Sequence, residues 1–283
     1  MKKILIGIIC FMFWVPAQAD KTLRFAVMDF TGDATKRWKS LSQYISTATG
    51  VPVKLIKTQS IPLAKRADKF DVILTNPVSA MIIHKKQAHN IIATMNHKTT
   101  GPTFAGMVIV HKDSGINTLK DLSGKKIGVV DLKNAAGGYL FQARELTKAG
   151  LDLKKDVKFT VVPSQKAIIH KVIKKRIDAG FIRVGMLALY KDAIDVSQVN
   201  ILNKQPYQGG PLMRSTQVYS HWAVLTAKTL PAPLQAKIKA ALLALKPTDA
   251  AASAGNINGF TEAADYTDVR ALMQDMGYSI DTE

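Results

Sequence analysis

The chain has 283 residues, 47% of them hydrophobic, with 39 Lys and Arg against 21 Asp and Glu, a formal net charge of +18, and one cysteine. Its apolar share is that of a globular protein and excludes a disordered chain, and a lone thiol excludes an internal disulfide. The charge would fit nucleic acid only if basic residues clustered with aromatics or lay in a docking motif; they are spread along the chain, and no nucleic-acid partner is expected.

Lys2 and Lys3 precede a short apolar run, Ile4 to Val15, which ends at Pro16 and Ala17-Gln18-Ala19 before Asp20. These are the three regions of a secretory signal peptide, spanning 1–19 with cleavage after Ala19. The alternative, a membrane anchor, needs roughly 20 apolar residues, and the run falls short. Cys10 follows Ile9 rather than a small residue, which speaks against lipidation. Cleavage would remove the one cysteine, and an exported chain without thiols points to a periplasm.

The next segment, Phe25 to Thr31, reads as an apolar strand ending in Asp29, followed by a polar loop. Trp38, Leu41, Tyr44, Ile45 and Ala48 then recur at helical spacing up to a stop at Gly50. A second strand, Asp71 to Thr75, feeds into Asn76-Pro77, an N-cap followed by a first-turn proline. Phe104 to Lys112 is a longer strand pattern. From Ile127 the first arrangement returns: an apolar strand ending in Asp131, a loop of small residues, Asn134-Ala135-Ala136-Gly137-Gly138, and a helix with Tyr139, Leu140, Ala143 and Leu146 on its apolar side.

In the run from Lys166 to Arg176, lysines alternate with Ile168, Ile169, Val172 and Ile173, the pattern of a packed helix with a solvated basic face. Asp178 to Arg183 is again a strand, and Val218 to Lys228 another. Helices over Pro231 to Leu245 and Tyr266 to Met276 complete the chain, the last with Gly277 as its stop.

The repetition decides the fold class. Asp71 follows Asp29 by 42 residues (71 − 29) and Asp178 follows Asp131 by 47 (178 − 131), in the same order of elements. The expected architecture is α/β, with two lobes of one strand-helix-strand-helix plan. Ligands of such sheets sit outside the carboxyl ends of the strands. Four loops are therefore expected to share one cleft: Asp29 to Gly32 with Thr31, Thr75 to Pro77 with Asn76, Asp131 to Gly138, and Ile182 to Gly185 with Arg183.

Backbone stripped of side chains at a helix start can approach an anion closely with its unpaired N–H groups. Arg183, at the facing strand end, can add a charge-assisted contact or can instead pair with Asp131 or Asp29. Gly137 and Gly138 serve binding or close packing, and Asn76 serves capping or ligand contact. No catalytic residue, cofactor or metal is expected: the six histidines lack metal-ligand spacing, no Gly-x-Ser-x-Gly elbow occurs, and the recurring Asp residues look like structural caps.

In this order the residues resemble the periplasmic phosphonate-binding-like solute-binding proteins, and within them the branch forming the input domain of tetrathionate sensor kinases. The resemblance covers the mature chain and is carried by Phe104-Ala105-Gly106, Leu119-Lys120-Asp121-Leu122-Ser123-Gly124-Lys125, Ala135-Ala136-Gly137-Gly138-Tyr139, Asp178 to Gly185, and Asp265-Tyr266-Thr267-Asp268-Val269. It implies a two-lobed periplasmic binding protein of type II, with two mixed, mostly parallel sheets joined by two hinge strands. Lobe 1 would comprise 20–106 and 224–283, and lobe 2 would comprise 107–223.

The resemblance further implies a monomer that closes on a small anionic solute, phosphonate-like or a sulfur oxyanion, and presents it to a membrane permease or a sensor histidine kinase. Tyr139, Ser215, Thr216 and Tyr219 enter the expected site from the family pattern alone. The Ser-Thr-Ser-Gly type loop of phosphonate binders is replaced by Asn134-Ala135-Ala136-Gly137-Gly138, which lacks its hydroxyl donors and puts phosphonate itself in question. A signalling protein that keeps the fold without a ligand, or a periplasmic enzyme, are the rival readings.

Overall fold

The computed structural model describes residues 22–28, 34–58, 64–86, 89–133, 135–208 and 210–278. The expected signal peptide lies outside them, as do Asp29, Thr31 and Asn134 of the expected site.

The chain begins with β1 (Leu23–Met28), α1 (Ala34–Thr49), β2 (Val53–Thr58), β3 (Val72–Thr75), α2 (Pro77–Lys85) and β4 (His89–His97). It crosses through β5 (Thr103–Phe104) into β6 (Gly106–His111), β7 (Lys126–Val129), a π-helical turn (Ala136–Leu140) continuing as α3 (Phe141–Lys148), and β8 (Lys158–Val161). Next come α4 (Gln165–Ile173), β9 (Ala179–Arg183), α5 (Met186–Tyr190), β10 (Val199–Leu202) and the short pair β11 (Gln205–Pro206) and β12 (Met213–Arg214). It returns through β13 (Tyr219–Ser220) to β14 (Ala223–Ala227), α6 (Ala232–Ala244), α7 (Ala250–Gly255), β15 (Ile257–Glu262) and α8 (Thr267–Asp275).

Two sheets organise these elements, one six-stranded in the order β15-β4-β14-β3-β1-β2 and one five-stranded in the order β10-β6-β9-β7-β8. The repeated units pair in parallel, β2-β1-β3 in the first and β8-β7-β9 in the second. The expectation of mostly parallel sheets holds for those triplets only. β4, β14 and β15 in the first sheet and β6 and β10 in the second pair antiparallel, because the crossing strands enter each sheet against the direction of its repeated unit.

The duplication extends to single hydrogen bonds. Asp71 accepts at Oδ2 from the Arg24 N–H (2.8 Å), tying the start of β3 to the start of β1. Asp178 does the same from the Lys126 N–H (2.7 Å), tying β9 to β7. Both carboxylates thus stand at the amino ends of their strands and act as caps on the sheet.

Parallel strands covered on both faces need apolar residues throughout. β3 is buried at all four positions, and in β1 only Arg24 is exposed. Trp38, Leu41 and Ile45 of α1 cover one face of the first sheet, and Val78, Met81 and Ile83 of α2 cover the other. The second face's core runs on through Phe104, Phe141 and Tyr219 into the other lobe. Phe141 stacks on Tyr219 at 3.9 Å between ring centroids, beside the β5–β13 ribbon that carries both crossings.

Candidate functional site

The carboxyl ends of the parallel strands in both sheets face the space between the lobes, which holds a cleft of about 380 Å³. Met28, Arg37, Trp38, Asn76, Met95 and His97 line it from the six-stranded side. Ala135 to Gly138, Ser164, Gln165, Lys166, Arg183 and Tyr190 line it from the other, with His221 and Trp222 of the return crossing between.

A helix begins at nearly every one of these loops, since a parallel strand ending at the cleft must turn back through a helix whose positive end stays there. Asn76 caps α2 by accepting from the Ser79 N–H (3.0 Å). Ser164 caps α4 in the same way from the Ala167 N–H (3.2 Å).

The loop after β7 opens as a π-turn. Its first closing bond runs from the Leu140 N–H to the Ala135 carbonyl (3.1 Å), so the N–H groups of Ala136, Gly137, Gly138 and Tyr139 have no partner within the turn. Side chains could not be added to this cradle. A Cβ on Gly137 would stand 2.8 Å from the Phe104 ring and 3.3 Å from the Arg183 Cβ, and one on Gly138 would stand 2.8 Å from Val130. Both glycines therefore permit close packing and at the same time leave bare backbone on the cleft wall.

Arg183 is half-buried, and none of the described carboxylates pairs with it. Among the described residues its guanidinium reaches only the Val184 carbonyl, at 3.4 Å, while its N–H is held by Gln165 Oε1 at 2.8 Å. Burial, and secondarily the charge of Arg37, push its pKa down to about 10. Arg37 approaches from the opposite lobe, bonded to the Gly255 carbonyl (3.1 Å) and lying over the Trp38 ring.

The same field keeps two imidazoles neutral. Burial first, then Arg183 and Arg37, push the pKa of His97 down to about 3. Burial, His97 and Arg183 push that of His221 well below the usual range. The rings stack at 5.7 Å between centroids. Each Nδ1 accepts a backbone N–H, of Thr99 (3.2 Å) for His97 and of Trp222 (2.8 Å) for His221. The walls between these polar groups are apolar, with Met28, Met95, Met186, Trp38 and Phe104. Two guanidiniums, N–H groups without a partner inside their turn, and positive helix ends surround an apolar waist, an arrangement whose chemistry suits a compact anion.

Of the expected residues, Asn76, Ala135, Ala136, Gly137, Gly138 and Arg183 meet in this cleft. Pro77 is the buried first residue of α2, and Tyr139 packs edge-on against Phe159 (5.3 Å). Ser215 and Thr216 are buried behind the cleft, accepting from the Val108 N–H (2.8 Å) and Gly106 N–H (3.0 Å) and so fastening the return chain to β6. Tyr219 is fully buried in the hinge core. Sequence reasoning passed over Arg37, Trp38, His97 and Gln165. The signal for Gln165 was present, since Ser164 before an apolar helical run at a strand end is an N-cap at the same level as Asn76.

Residues 27–267 match the model of the family described as ABC transporter, phosphonate, periplasmic substrate-binding protein. The chain belongs to this family. The tetrathionate sensor histidine kinase TtrS of Salmonella typhimurium is 24% identical over 238 residues, covering 77% of this chain; the chain spans 38% of that protein.

The fold is that of the type II periplasmic binding proteins. PhnD1 of Prochlorococcus marinus, solved with methylphosphonate, superposes with a TM-score of 0.72 at 18% identity, over 92% of this chain and 100% of that one. The binding protein component of a Pseudomonas aeruginosa ABC phosphonate transporter superposes with a TM-score of 0.72 at 17% identity, over 93% and 91% of the two chains.

Proposed function

We propose that this protein is a periplasmic solute-binding protein that captures a small anion between its lobes and presents it to a membrane partner, a permease or a sensor kinase. The observation that carries this reading is Arg183, a half-buried guanidinium at the cleft wall that no described carboxylate neutralises, facing the free N–H groups of the π-turn. Leaving a buried charge uncompensated is costly unless a ligand supplies the counter-charge. Asp71 and Asp178 are engaged as sheet caps away from the cleft, which supports binding over acid–base catalysis.

The ligand we favour is an oxyanion with a polarisable or apolar body, a sulfur oxyanion or a phosphonate-like compound. Support comes from the three methionines and two tryptophans lining the cleft, and from a turn that offers backbone donors in place of hydroxyls. A solute gripped by Arg37 from one lobe and Arg183 from the other favours the closed arrangement of the hinge, because it contacts both at once. Export through the 1–19 leader, with cleavage after Ala19, belongs to the same reading.

The test is a thermal-shift panel of tetrathionate, methylphosphonate, sulfate, phosphate and small carboxylates. One class should raise Tm, since a ligand at 100 times its dissociation constant stabilises by about 2.7 kcal/mol. A flat response to the whole panel contradicts the proposal, and turnover of the bound compound by the protein alone would place it among enzymes.

A further inference from the structure

Behind the cleft lies a polar side chain that the binding reading does not use. Gln142, on α3, is completely buried. Its Nε2 donates to the Gly137 carbonyl (2.9 Å) and the Ile182 carbonyl (2.9 Å), with the Met107 carbonyl at 3.4 Å. Gly137 belongs to the π-turn, and Ile182 immediately precedes Arg183. We propose that Gln142 is a positioning residue for anion capture, clamping the π-turn to the end of β9 so that the turn's free N–H groups and the Arg183 side chain keep one fixed relation. This rests on the reading of the cleft as an anion site.

Two features show that Gln142 is more than filling. Its Oε1 is buried without a partner, a state that costs free energy and that Leu or Met at this position would avoid. The opposite amide orientation is worse, since it would set that oxygen against the carbonyls the amide now serves. In addition, β6 has Gly106 beside it: a Cβ there would stand 2.5 Å from both Cδ and Nε2 of Gln142. A strand glycine and an orphaned acceptor are both tolerated at one place, and what they preserve is the bridge between the two anion-binding elements.

The experiment compares wild type with Gln142→Leu and Gln142→Glu. In the ligand-free proteins, amide hydrogen exchange of Leu140, whose N–H closes the turn on the Ala135 carbonyl, and of Arg183, whose N–H is held by Gln165, should quicken about tenfold or more in Gln142→Leu, the size expected for a lost buried hydrogen bond, while β1 and α1 keep wild-type rates. Affinity for tetrathionate or methylphosphonate, whichever the wild type binds, should fall by a similar factor. Gln142→Glu adds a readout that simple packing would not move. Its buried carboxyl has a raised pKa and can donate only while protonated, so tetrathionate affinity should fall as pH rises, a trend absent in wild type.

Exchange at the turn unchanged within about twofold overturns the proposal, as does faster exchange with probe affinity unchanged within the same margin. If the wild type binds neither these probes nor sulfate, phosphate or small carboxylates, the anion reading is what fails, and the exchange data still decide whether Gln142 holds the turn.

Discussion

At the scale of single residues, the site is a concentration of positive potential in which neighbours set each other's state. His97 shows this most directly. Burial and the two arginines hold its folded-state pKa at about 3, whereas an unfolded chain would protonate it near its usual value of about 6.5. The stability this difference contributes is fully present above about pH 6.5 and is lost as pH falls toward 3, because only the unfolded state takes up the proton. His97→Gln removes that loss. Its Tm deficit relative to wild type should therefore shrink as pH is lowered from about 7.5 to about 4.5, followed by calorimetry. An equal deficit at both ends would mean that the imidazole is solvated rather than held neutral.

Residues also mark where the sequence was legible. Arg183 and the glycines could be placed because they sit at fixed offsets from repeated strands. Arg37 and His97 could not: one lies in a helix turn after a loop and the other at the end of an antiparallel strand, and neither position belongs to the repeated pattern. Ser215 and Thr216 were expected at the site from the family pattern; in the structure their hydroxyls accept from backbone N–H groups of β6.

At the scale of elements, the order of strands and helices follows from apolar periodicity and from the paired aspartates, and the strand-to-helix turns are in the places expected. The π-turn was not legible, since no local signal separates it from an α-helical start. Nor was the fastening of α8 to α3. There Arg144, nearly buried, binds Asp275 through Nη2 and through Nε (2.8 Å) and the Tyr219 hydroxyl through Nη1 (3.1 Å). This joins a helix packed on the five-stranded sheet to the last helix of the other lobe.

A double-mutant cycle with Arg144→Ala and Asp275→Ala should give a coupling of about 1–3 kcal/mol in urea denaturation, more than an exposed pair provides, because the guanidinium is largely out of water. Coupling under about 0.3 kcal/mol would mean that the pair contributes nothing across the lobes.

At the scale of the whole molecule, two lobes share a hinge of paired short strands and stacked rings, and the cleft they enclose gathers helix ends, guanidiniums and apolar walls. The net charge of +18 adds a general attraction for anions that salt screens, whereas the cleft contacts persist. The chain has three tryptophans: Trp14 lies in the expected leader, and Trp38 and Trp222 both line the cleft. Tryptophan fluorescence of a protein lacking residues 1–19 thus reports the cleft. Titration with tetrathionate and methylphosphonate should give a saturable change for at least one, and Arg183→Ala should weaken it at least about tenfold. Fluorescence unmoved by either anion, or an affinity that survives Arg183→Ala within about twofold, would contradict the account.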